Sequence, residues 1–205
     1  LGWVRNDRHL HEMWWVMEVF NIWRLPILFF VSGMGVRFAM QRRTNSELLK
    51  ERFHRIVVPY IAGALMVGAL ANALSDFASG REVTYVPSDY HLWFLGNIAG
   101  YVLLTFPLFR WVKNRPDCAE LNGLRWLLRT GLFVPVFAFP GAMAAAAIQP
   151  NHFASFAHTT HGVWFGGICF CFGFLSACVM DAFKAATMRR RWRLTGLAVC
   201  LCAFR

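Results

Sequence analysis

Arg24-Leu25-Pro26-Ile27-Leu28-Phe29-Phe30-Val31-Ser32-Gly33-Met34-Gly35 is an apolar run headed by a single cation. Extended to residues 13–36, it reaches the ~20 mostly apolar residues that a bilayer-crossing helix needs. Glu18, Arg24 and Pro26 lie inside it. A charge within a span is costly and turns towards protein or water rather than lipid. Glu18, Asn21 and Arg24 follow each other at three-residue steps and so form one polar stripe along a helix. Pro26 removes a backbone donor and frees the carbonyl of residue 22, which opens a kink. Ser32, Gly33 and Gly35 allow a helix or a ligand to approach closely. Two readings follow. Either Arg24 pairs with Glu18 or snorkels beside a packing notch, or the stripe lines a polar cavity inside a bundle.

Outward from this stretch, further apolar runs occupy residues 57–74, 92–112, 127–148 and 161–180. A sixth, 194–204, is apolar except for Thr195 and stops at Arg205. The expected fold is therefore all-α, a polytopic transmembrane bundle of five full spans plus one truncated, in a single domain over 1–205. The short sixth run and the start at Leu1-Gly2-Trp3-Val4 read as an inner piece of a longer chain, incomplete at both ends. Composition agrees with the membrane reading. Of 205 residues, 57% are hydrophobic and 16% charged, whereas soluble domains carry about 25% charged residues. So small a globule could not hide 20 Phe and 9 Trp, and so apolar a chain is not disordered.

The net charge of +10 has an address. Arg37, Arg42, Arg43, Lys50, Arg52 and Arg55 follow the first run, and Arg110, Lys113, Arg115, Arg125 and Arg129 follow the third. Lys184, Arg189, Arg190, Arg191 and Arg193 follow the fifth. The connections between, 75–91 and 149–162, hold one basic residue and none. Basic residues in alternate loops are the signature of cytoplasmic loops. Loop 37–56 is thus expected in the cytoplasm and residues 1–12 outside. The basic balance then reports topology, with anionic lipid of the bilayer as a secondary partner, and no nucleic-acid partner is expected.

Several residues could carry chemistry. Arg52 and Arg55, three apart on a helix, would share a face and could grip a phosphate with their planar forks, or could simply be a basic stop at the membrane edge. His91, before Leu92-Trp93-Phe94-Leu95, is either an interfacial anchor or a general base at a cavity edge. His152, His158 and His161 lack a carboxylate or Cys to complete a metal site, so no metal is expected. Five of the six Cys sit in apolar runs and read as packing residues. There is no P-loop, nucleophile elbow, His-Glu-x-x-His or dinucleotide fingerprint.

Taken together these segments resemble integral-membrane acyltransferase family 3. The family's "mPlFFfiSGf"-like run is matched by Leu25–Met34, and its Arg-x-x-Arg motif leading to "vPy" by Arg52, Arg55 and Val58-Pro59-Tyr60. Its "hLWFl" element is matched by His91–Leu95, and an "FGyl" run by Phe172-Gly173-Phe174-Leu175. The His-Leu-Trp-Phe-Leu form is similar to the succinyltransferase-like branch that modifies periplasmic glucans. The resemblance implies a transferase of the bacterial inner membrane. It would move an acyl group from a cytosolic donor such as acyl-CoA to a hydroxyl of an extracytoplasmic glycan, with acyl-CoA as substrate and no cofactor. It implies donor handling by Arg52, Arg55, Ser32 and Gly33. The family's proposed catalytic His belongs to a first helix without a counterpart here, and no motif carries that role onto His9, His11 or His91. Of these, His91 stands as the candidate. A transporter or flippase of glycan or lipid is the alternative that the same polar first helix allows.

Overall fold

Inside a membrane every backbone N–H and C=O must find its partner within its own segment, so apolar runs of this length fold as helices. The structure, a computed structural model, describes residues 14–89, 92–115, 119–147 and 159–203. These residues form seven helices and no strand: α1 (Trp14–Arg42), α2 (Asn45–Ala78), α3 (Trp93–Lys113), α4 (Ala119–Thr130), α5 (Phe133–Ala147), α6 (Thr160–Cys178) and α7 (Met180–Ala203). The all-α bundle expected from the sequence is what folds. Among the described residues, α2, α3 and α6 are long and apolar enough to cross a membrane.

Two expected boundaries fall elsewhere. The run 127–148 is not one helix: α4 ends at Thr130, and α5 begins at Phe133. Gly131 breaks it by adopting φ +91°, a left-handed conformation natural only to glycine. Arg190 completes the stop, donating to the exposed carbonyls of Leu128 (2.9 Å) and Arg129 (2.7 Å). The basic segment 184–193 is not a loop either but the middle of α7. Lys and Arg are good helix formers, and nothing from Met180 to Thr195 breaks a helix. The truncated run from 194 is simply the continuation of α7 as far as Ala203.

The core is an aromatic cluster shared by α1, α3 and α6. Phe29, Phe109, Phe170 and Phe174 are fully buried. Phe109 stacks flat on Phe174 with ring centroids 3.5 Å apart, and the Tyr101 ring meets Phe29 edge-on. The helices close most tightly where α1 crosses α6. A Cβ on Gly33 would collide with the carbonyl oxygen of Phe170, and one on Gly173 with that of Phe30. Each helix thus presses its backbone into a glycine of the other, the small-residue contact by which membrane helices associate.

At its other end α2 finishes in a Schellman cap. Gly80 sits at φ +65°, the Arg81 N–H donates to the Asp76 carbonyl (2.9 Å), and the Gly80 N–H to Phe77 (3.1 Å). This reversal sends residues 81–89 back along α2 as an extended strap.

Candidate functional site

The corner between α1 and α2 is only two residues wide, and Thr44 fixes it. Its hydroxyl accepts from the Glu47 N–H (3.4 Å) while the Glu47 carboxylate accepts from the Thr44 N–H (2.9 Å). Such a capping box satisfies two donors at the helix start. Leu48, fully buried, anchors the first turn of α2, and one turn further on stand Glu51 and Arg52. Glu51 bridges Arg43 and Arg55, the latter at 3.1 Å.

Arg52 turns inward and Arg55 outward. The Arg52 guanidinium donates through Nη2 to the Gly35 carbonyl of α1 (3.0 Å), and its Nε is buried without a partner among the described residues. Arg55 is exposed and held by Glu51. The shared face expected of a three-residue spacing is lost because α2 widens into a π-turn over Phe53–Val57. With bonds running i to i+5, three residues no longer come close to completing a turn.

Beside Arg52 a groove of about 430 Å³ opens between α2 and α3. Leu49, Lys50, Arg52, Phe53, Ile56 and Val57 form one wall, and Ala99, Val102 and Leu103 the other. Its volume lies within the usual range for ligand pockets. It is apolar along its length, and Lys50 and Arg52 are the two basic residues that border it. The α3 wall was not legible in the sequence, because nothing in residues 99–103 sets them apart from any other apolar turn.

The remaining expected residues are placed as follows. The Ser32 hydroxyl donates to the Leu28 carbonyl (2.7 Å) of its own helix. Gly33 faces α6, and the Phe170 backbone fills the space that its missing side chain leaves. Arg24 is exposed. Glu18 lies within α1, but its side chain lies outside the described part of the structure, so the Glu18–Arg24 stripe is not resolved into pair or cavity. His91 lies outside the described residues.

The sequence profile of the acyltransferase domain matches residues 2–205. The chain belongs to acyltransferase family 3. It is accordingly a membrane acyltransferase, and its apolar helices make it an integral membrane protein. Comparisons with curated proteins and with solved structures return no match. Within this acyltransferase, the motif residues Arg52 and Arg55 and one wall of the groove fall on the same stretch of α2.

Proposed function

We propose that this acyltransferase takes its acyl group from acyl-CoA bound at the α2–α3 groove and passes it to a hydroxyl of an extracytoplasmic glycan, a glucan in the branch that the sequence resembles. The observation that carries this reading is the make-up of the groove, an apolar trough bordered by the two basic residues Lys50 and Arg52. Acyl-CoA matches it, with phosphates at one end and an uncharged arm leading to the thioester. Lys50 and Arg52, both of which border the groove, pair with phosphate oxygens, and the arm lies along Phe53, Ile56, Val57 and the α3 wall. The hydroxyl oxygen attacks the thioester carbonyl carbon, the carbon–sulfur bond breaks, and the hydroxyl proton leaves to a general base and ends on the CoA thiol. The products are an ester and free CoA. His91, two residues beyond the strap, stands as the candidate base. In this reading the donor end faces the cytoplasm of a bacterial inner membrane; the clustering of basic segments supports the cytoplasmic side, the Lys113 ammonium donating to the Arg43 carbonyl (3.4 Å).

The test uses membranes bearing the full-length chain, radiolabelled acetyl-CoA or succinyl-CoA, and a β-glucan oligosaccharide. Label moves to the glucan, and the double variant Arg52→Ala, Arg55→Ala raises the donor KM. Wild-type transfer by that variant overturns the donor assignment. Movement of glucan across vesicles without any acyl donor overturns the transferase reading in favour of a transporter.

A further inference from the structure

α7 carries five basic residues within ten, Lys184, Arg189, Arg190, Arg191 and Arg193, and runs on from Leu194 as an apolar helix. What it touches fixes its rotation. Ala186 is buried, and the Arg190 guanidinium donates to the Leu128 and Arg129 carbonyls at the end of α4. The Phe183 ring meets that of Phe30 on α1, with centroids 6.0 Å apart. These contacts hold one side of α7 against the bundle and turn the opposite side out.

The outward side is not uniformly polar. Met188 is 63%, Trp192 76% and Val199 64% exposed. At about 100° per residue the three lie within about 40° of one another and form a narrow apolar strip. Cations stand on both sides of it, Lys184 and Arg191 along one flank and Arg189 and Arg193 along the other, all four exposed. Among the described residues no carboxylate pairs with any of them. The Arg191 guanidinium lies 5.5 Å from the centroid of the Trp192 ring, within the range of a cation held over an indole face.

Neither water nor hydrocarbon alone suits such a face. In water the strip is an apolar patch left unburied, and in hydrocarbon the four charges need anions beside them. The headgroup level satisfies both. There the indole and the thioether rest at the boundary of the acyl chains, and the flanking cations reach lipid phosphates along their own apolar stems. α4 carries the same pairing. Trp126 is 57% exposed and Arg129, three residues on, is exposed beside it, and Arg190 holds that end of α4 to α7.

We infer that the outward face of α7, from Lys184 to Val199, is a binding site for anionic phospholipid headgroups, with Met188 and Trp192 as its apolar anchor. Charge decides the occupant. Four cations around an apolar strip complement an anionic leaflet, near which each basic residue adds about fivefold to affinity. Asp181 is the one acidic residue of α7 and leaves the face strongly positive. Shape agrees with charge. A helix face is convex, so it meets headgroups lying side by side in a leaflet rather than a single enclosed ligand.

Two measurements test this on the full-length chain in phosphatidylcholine vesicles that contain one fifth phosphatidylglycerol. Spin-labelled phosphatidylglycerol is expected to be held at the protein at least about threefold more strongly than spin-labelled phosphatidylcholine. Replacing Lys184, Arg189, Arg191 and Arg193 together by Gln at least halves that preference, whereas Arg189→Lys, Arg191→Lys and Arg193→Lys together keep it, because the charge stays. An unchanged preference in the Gln variant overturns the site. So does displacement of the spin-labelled lipid by millimolar inorganic phosphate or CoA at constant ionic strength, which would mark a site for a soluble phosphate. In the second measurement, phosphatidylglycerol brominated at the headgroup end of its chains quenches tryptophan emission, and Trp192→Phe removes part of that quenching. Quenching that Trp192→Phe leaves unchanged would mean that the strip is covered by protein or stands in water, and would overturn the lipid assignment.

Discussion

At the scale of single residues the Arg pair shows how far spacing can be trusted. Arg52 and Arg55 are the residues that the family motif singles out, and the sequence alone puts them on one face. In the structure Arg52 reaches the Gly35 carbonyl inside the bundle, and Arg55 stays exposed with Glu51. The two should therefore contribute unequally. Arg52→Ala is expected to raise the donor KM about ten- to hundredfold, the range for hydrogen bonds to a charged group. Arg55→Ala is expected to cost about two- to fivefold, as fits an exposed, solvent-screened charge. Steady-state kinetics on the two single variants decide this, and equal effects would mean that both forks hold the phosphate. The π-turn that separates them leaves no mark in residues 53–57, because a widened turn depends on what competes for the helix carbonyls rather than on local propensity.

At the scale of elements, the Ser32-Gly33 notch could be read from the sequence as a place of close approach but not as a place for a particular neighbour. The neighbour is α6. Gly33 and Gly173 each receive the other helix's backbone, so adding even a methyl there forces the helices apart. Gly33→Ala is expected to destabilise by about 1–3 kcal/mol, the usual cost of overpacking, read as a lower thermal midpoint in detergent. Gly100, also helical, has open space around its Cα, and Gly100→Ala should instead gain about 0.5–1 kcal/mol from reduced backbone entropy. A similar response at both positions would show that the crossing is not tight. The break at Gly131 belongs to the same scale. The hydropathy of residues 127–148 hides it, because a helix stop made by one positive φ costs no apolar residue.

At the scale of the whole molecule, remote segments are tied together by single side chains at the basic end. Arg190 of α7 caps the C-terminus of α4 across 62 residues of sequence, and Lys113 reaches Arg43 across 70. Arg190→Ala leaves two helix carbonyls without their charged donors and should cost about 1.5–3 kcal/mol. Arg190→Lys should recover only part of that, since an ammonium cannot serve both carbonyls with the planar fork of guanidinium. Thermal unfolding of the two variants in one detergent measures the difference, and an unchanged midpoint for Arg190→Ala would mean that the cap stabilises nothing. By itself the sequence determined the helical class, the membrane setting, the address of the positive charge and the family. Apolar length, charge alternation and motif order are properties of the chain read one segment at a time. Only the tertiary structure decided that Gly33 is filled by α6, that Arg52 and Arg55 part company, that α3 completes a groove beside Arg52, and that the segment 81–89 brings Asp89 to Tyr60. Each of these depends on which distant segment arrives at a given surface, and a partner at long range leaves no periodic trace in the residues that receive it.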